Sequence, residues 1–111
     1  MNTISFDDWK KLQMKVGKIT SVERILKTDK LYKLQVDVGG EKLIQIVTSL
    51  VPYYQEHELQ DKKIIVLVNL EPEKFAGEVS EGMLLCAENE DGSKCVLLTV
   101  EKDIEPGTTI T

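Results

Sequence analysis

The sequence predicts an all-β domain built as a small barrel, on three observations. Short apolar segments alternate with polar positions along most of the chain. Turn signals separate these segments at roughly 8–12-residue intervals, the spacing of sandwiches and barrels. Only two short stretches read as helix, and no βαβ alternation is present.

The first helix opens the chain. Ser5 is placed as an N-cap with Asp8 three residues on, and Ile4 and Trp9 are spaced for a hydrophobic staple. Phe6, Trp9 and Leu12 form an apolar stripe about two turns long. A helix this short holds only by packing, so Trp9 is expected to be buried against the domain or a second subunit. A strand follows through Met14 and Val16, interrupted at Gly17 as by a bulge, and continues through Ile19 and Val22. Tyr32, Leu34, Val36 and Val38 alternate with polar residues, and Gly39-Gly40 turns the chain into Leu43–Val47. Residues 52–62 suit a short helix. Ile64–Leu70 is almost continuously apolar, as a strand covered on both faces would be. Met83–Glu88 and Cys95–Val100 read as a hairpin about Asp91-Gly92. Five strands with a helix between the third and fourth is the OB arrangement, here with a short N-terminal helix and a C-terminal β extension.

The composition bounds the function. The chain has 111 residues, 41% of them apolar and 30% charged, enough for one domain with one core (residues 1–111). No apolar run approaches the roughly 20 residues that span a bilayer. The N-terminus has no basic start, apolar stretch and small-residue cleavage site. A cytoplasmic protein with no membrane partner is the expectation. The net charge of −5 argues against a uniformly basic nucleic-acid binder. The distribution is uneven, however: residues 1–42 sum to +3 and residues 43–111 to −8. A positive surface on the first part would attract phosphates.

No catalytic constellation can be drawn. His57 is the only histidine and sits in a charged turn, which leaves no Ser–His–acid or Cys–His arrangement. Metal-ligand spacing and a phosphate-cradling glycine loop are both missing, so no metal and no cofactor are expected. Cys86 and Cys95 flank Asp91-Gly92 as diagonal neighbours about 7–8 Å apart, which suits free buried thiols better than a disulfide. Apolar residues on both faces of that last hairpin suggest cover on both sides, and an isologous dimer is a natural source of it. Tyr53 and Tyr54, behind Pro52, are expected to pack beneath a surface turn rather than to stack on bases.

The most informative stretch is Asn69-Leu-x-Pro-x-Lys74-x-x-Gly77-x-x-Ser80-x-Gly82-Met83, between two apolar strand segments. It sets an amide, an ammonium, a hydroxyl and a thioether on a glycine-hinged loop at a sheet's rim. The stretch has no acid–base pair, so it points to recognition of a polar ligand rather than turnover.

These motifs resemble the tRNA-binding domain found at the C-terminus of many bacterial methionyl-tRNA synthetases and in stand-alone structure-specific tRNA-binding proteins. The matching segments are Val16–Ile19, Asp29–Tyr32, Val36–Gly39, Ile46–Leu50 and Val68–Leu85. The opening Trp9–Gly17 looks most like a separate methionyl-tRNA synthetase β subunit. The resemblance implies an OB-fold homodimer, not itself an enzyme, that binds tRNA by shape and partners the catalytic subunit of methionyl-tRNA synthetase. Carried residue by residue, it assigns tRNA binding to Lys30, Asn69, Lys74, Ser80 and Met83. Lys30 and Lys74 suit phosphates, Asn69 and Ser80 suit phosphate or ribose oxygens, and Met83 suits a sugar or base face. Two departures stand out: Leu26-Lys-Thr-Asp-Lys-Leu31 replaces a His-Pro-x-Ala-Asp-Lys-Leu pattern, and Val47-Thr-Ser-Leu50 lacks a glycine found in many members. A peptide-binding export chaperone of the same family and an architectural subunit of a synthetase complex are the alternative functions.

Overall fold

The long strand β1 (Met14–Arg24) is the spine of the molecule, because its two halves pair on opposite edges. Its second half runs antiparallel to β2 (Tyr32–Asp37), which pairs with β3 (Ile44–Thr48). Its first half pairs with β4 (Lys63–Leu67), which pairs in turn with the two-residue β7 (Met83–Leu84). The computed structural model describes residues 1–111 and gives the sheet order β3-β2-β1-β4-β7. Two further hairpins, β5 (Glu73–Phe75) with β6 (Glu78–Ser80) and β8 (Cys86–Glu88) with β9 (Cys95–Leu97), attach to this sheet. Helix α1 (Phe6–Lys11) precedes it, and α2 (Glu56–Leu59) lies between β3 and β4. This is the nearly closed five-stranded OB-like barrel that the pattern predicts.

Alternation explains the core. Tyr32, Leu34 and Val36 on β2 face inward with Ile19, Ile46, Ile64, Val66 and Leu84, and α2 contributes Leu59. The barrel closes beyond β7 by hydrogen bonds rather than by a continuous strand pair. Gln45 N–H donates to Glu81 Oε1 (2.8 Å), Glu81 N–H donates to Gln45 O (2.7 Å), and Gln45 Nε2 donates to Val79 O (2.8 Å).

Several expectations shift in detail. The bulge in β1 falls between Ile19 and Ser21, not at Gly17. Gly17 is required by packing instead, since a Cβ there would lie 2.8 Å from Val36 Cγ1 and 2.9 Å from Val66 Cγ2. β4 spans Lys63–Leu67 rather than reaching Leu70, and Val68 N–H adds one last bond to Gln13 O (2.9 Å) in register with the Met14–Leu67 pair. The expected single strand Met83–Glu88 is two, broken at Leu85, which bonds Ile65 with its N–H and Leu98 with its carbonyl. The last hairpin keeps the expected register, Cys86 opposite Leu97 and Glu88 opposite Cys95, around a wider loop closed by Asn89 and Lys94. Ser5 caps α1 as expected, accepting from Asp8 N–H at 3.0 Å. Trp9 is not buried against the domain, however: it is 41% exposed, and α1 has no buried residue. No helix is long and apolar enough to cross a membrane.

Candidate nucleic-acid interface

Residues 69–85 are not one loop. Residues 73–80 form the β5–β6 hairpin, turned by Ala76 and Gly77 with φ of 53° and 83°. Positive φ at both central residues marks a type I′ turn. A left-handed alanine costs about 1–2 kcal/mol, so the tip is held against a local preference. Alternation puts Lys74 and Val79 on the hairpin's outer face, both exposed, while Phe75 and Ser80 turn toward the barrel. On the inner side Lys33 Nζ lies 3.3 Å from Glu78 and 3.4 Å from Glu23, tying the hairpin to β2. The hydrogen bond to Glu78 is the main reason that the Lys33 ammonium is held above the usual lysine range.

The five residues singled out in the sequence have different surroundings. Lys74 is exposed on β5, and Lys30 is exposed in the β1–β2 loop. That loop is preformed. Ile25 N–H donates to Leu31 O (3.0 Å), the Thr28 hydroxyl donates to Ile25 O (2.9 Å), and it accepts from Leu31 N–H (3.2 Å). Met83 is half-buried and lines a shallow recess. Ser80 is buried, only 3% exposed, rather than presented at the surface. Its Oγ accepts from Val47 N–H (3.0 Å) and donates to Gly82 O (2.8 Å), so it closes the barrel seam. Asn69 is exposed, but its amide is engaged: Oδ1 accepts from Gln13 N–H (2.9 Å) and Nδ2 donates to Lys11 O (2.6 Å). It anchors the end of α1 to the end of β4.

The structure adds two residues that the sequence reading passed over. Lys27 extends from the β1–β2 loop to the hairpin tip, where its Nζ would lie 3.2 Å from a Cβ at Gly77. Phe75 forms one wall of the recess, with Leu31, Val47, Thr48, Ser49 and Met83 around it. Recognising Ala76-Gly77 as a hairpin turn would have revealed Phe75, by pairing Lys74 with Val79 and turning Phe75 inward, whereas Lys27 comes from a loop 50 residues away and gives no such local signal. Lys27, Lys30 and Lys74 therefore flank one end of the barrel, and the ion pairs of the chain engage Lys11, Lys33 and Lys63 instead. Asp29 and Glu73 also stand exposed in these segments, so the local charge is mixed but its lysines are unpaired.

The tyrosines behave as framework. Tyr32 donates to Tyr54 O (2.6 Å), Tyr53 donates to Gly92 O (2.6 Å), and the Tyr54 hydroxyl accepts from Leu97 N–H (3.1 Å). Together they fasten the β8–β9 hairpin to the barrel. Cys86 and Cys95 are free and half-buried. Burial, with the neighbouring Cys95, pushes the Cys86 thiol up to about 12.

A barrel with unpaired lysines around a small apolar recess defines a binding domain. Residues 14–109 match the family described as "Putative tRNA binding domain", and the chain belongs to that tRNA-binding family. Among curated relatives it is 46% identical over 107 residues to the methionine–tRNA ligase of Archaeoglobus fulgidus, covering 96% of this chain and 16% of that enzyme. It is 44% identical over 110 residues to that of Methanocaldococcus jannaschii, covering 99% of the chain and 17% of the enzyme. The chain thus spans about a sixth of these relatives. Among solved structures, a MetRS-related protein from Pyrococcus horikoshii superposes with a TM-score of 0.92 at 41% identity, each chain fully covered. The CsaA chaperone protein from Picrophilus torridus gives 0.87 at 32% identity, covering 98% of this chain and 100% of that one.

Proposed function

We propose that this chain is a cytoplasmic tRNA-binding subunit, the β subunit of a methionyl-tRNA synthetase, which holds tRNA through its backbone and shape. The observation that carries this reading is the set of exposed lysines, Lys27, Lys30 and Lys74, left without carboxylate partners at one end of an otherwise acidic molecule. Phosphates are the ligands such ammonium groups recruit. Lys30 and Lys74 make the direct contacts in this reading. Met83 supplies an apolar wall, Ser80 holds the seam that sets the hairpin's position, and Asn69 fixes α1.

The same reading includes a homodimer. Phe6 is 69% exposed, and with Trp9, Leu12 and Ile110 it lines a groove of about 570 Å³ between α1 and the C-terminal segment. A two-turn helix with no buried residue gains its stability only when such a stripe is covered. A second copy of the chain covers it here.

Filter binding tests the assignment. tRNA is expected to be retained at low salt above a random duplex of equal length. The logarithm of affinity should fall by roughly two to three per tenfold rise in salt for three neutralised phosphates. Equal retention of the random duplex would overturn the reading. Sedimentation should return a dimer, and a monomer at micromolar concentration would remove that part.

A second reading, polypeptide binding, is favoured by the likeness to the CsaA chaperone protein and by the apolar groove beside α1. It requires salt-insensitive binding of a labelled unfolded protein, which a titration separates from tRNA binding.

A further inference from the structure

The recess at the foot of the β5–β6 hairpin has a size, a lining and a border that backbone recognition does not use. Its volume is about 200 Å³, with Leu31, Phe75 and Met83 as walls, Val47 as floor, and Thr48 and Ser49 at one side. Pockets that enclose a whole small-molecule ligand run to about 300–1,000 Å³, so this one suits a single ring system. Val47 is buried and bonded to Ser80, which makes the floor rigid. Ser49 is exposed at the rim, and Thr48, only 8% exposed, lines the recess beside it. Phe75 stands half-buried on β5 and lines the cavity.

The border decides what occupies it. Lys30 stands exposed beside Leu31, and Lys27 of the same loop reaches the hairpin tip, while Lys74 lies on the outer face of the hairpin, behind Phe75. A largely apolar slot with Thr48 and Ser49 at one side and exposed ammonium groups on the adjoining β1–β2 loop complements an unpaired base with its neighbouring phosphates. A base in a duplex is stacked on both faces and cannot enter such a slot, whereas an unpaired one can stack on an aromatic ring. An apolar peptide side chain would fill the slot equally well but would leave the surrounding lysines without anions.

We infer that this recess takes one unstacked nucleobase of the bound RNA, with Phe75 as the stacking surface and Lys27 and Lys30 of the β1–β2 loop on the adjoining phosphates. This rests on the tRNA-binding reading and narrows it: the domain holds a loop or end nucleotide in addition to following the backbone.

The test uses the full chain and a tRNA assembled from synthetic halves, with its unpaired nucleotides made abasic one at a time. Removing a base leaves the phosphate in place. At one position the abasic RNA should bind roughly 5- to 150-fold more weakly, the range for loss of one base–aromatic stack. Phe75→Ala should lose a similar factor on intact tRNA and nothing further on the abasic one. Phe75→Leu keeps the apolar packing and guards against a folding defect; it should show the same coupling to a smaller degree. If each Phe75 variant loses the same factor on intact and abasic RNA, or if no abasic position weakens wild-type binding, the inference is overturned while tRNA binding stands. Retention of no tRNA by wild type removes the underlying reading itself. Displacement of bound tRNA by an unfolded polypeptide in a Phe75-dependent manner assigns the recess to peptide instead.

Discussion

The tip of the β5–β6 hairpin and the seam just after it share one short stretch of sequence but meet opposite physical demands. At the tip, Lys74 is exposed, Ala76 is left-handed, and the ties to the barrel are side-chain ones, the Glu78–Lys33 ion pair and the Gln45 amide on Val79 O. At the seam, Ser80 is buried with both its hydrogen-bonding roles used, and Gly82 lets two strands approach. A Cβ on Gly82 would lie 2.7 Å from Leu67 O, a backbone atom that cannot move aside cheaply. Ser80 and Gly82 are therefore a closure device, while Lys74 and Phe75 precede it and Met83, which lines the recess, follows it. A motif that accompanies a function need not be made of residues that touch the ligand.

Breaking the seam should have the largest effect, and it should fall on stability. Ser80→Ala leaves Val47 N–H and Gly82 C=O unpaired in a buried place, a cost of about 1–3 kcal/mol. Gly82→Ala forces the strands apart and should cost a similar amount, about 1–3 kcal/mol by overpacking. Urea unfolding measures both. The tRNA affinity of the fraction that remains folded should change much less than stability does. If Ser80→Ala left stability untouched and abolished binding, the seam and the tip would have exchanged roles.

The tip predicts the reverse. Lys74→Ala removes an exposed ammonium with no internal partner, so stability should stay within about 0.5 kcal/mol. Binding of tRNA should weaken uniformly across sequences, and the salt dependence should fall by about one unit of slope. Lys27→Ala should behave alike. Unchanged affinity and unchanged slope in both variants would move the interface elsewhere on the barrel.

What the sequence showed, and what it hid, follows from how local each feature is. The alternation of Tyr32, Leu34 and Val36 and the register of the last hairpin are set within a few residues, and both are present as read. The α2 helix was legible for the same reason. The Ala76-Gly77 turn was not, because alanine disfavours the left-handed backbone and gives no turn signal of its own. Ser80 reads as a surface hydroxyl because its partner Val47 lies 33 residues away. Gly17 looks like a bulge along the chain, and only the approach of Val36 and Val66 from neighbouring strands shows it to be a packing requirement. The expected burial of Trp9 concerns a surface that the folded chain leaves open.

The smallest expected effect separates tip from seam by charge alone. Lys33 is raised above the ordinary lysine value of 10.5, first by its hydrogen bond to Glu78 and then by the Coulombic pull of Glu23 and Glu78, against an opposing desolvation. A folded-state value above the unfolded one means that the clamp's contribution is fully present below about pH 10.5 and is lost as pH rises through the raised value. The seam contains no titrating group at Ser80, Val47 or Gly82. Methyl NMR from pH 9 upward should therefore show Ala76 and Val79 shifting before Val47 does. Glu78→Gln should bring the tip's altered signals to neutral pH, because it removes the carboxylate that holds Lys33. High salt should do the same in part, since a pair that is only partly buried is still screened. Simultaneous movement of tip and seam methyls would mean that the two are one cooperative unit, and that the hairpin's position is set by Ser80 rather than by the clamp.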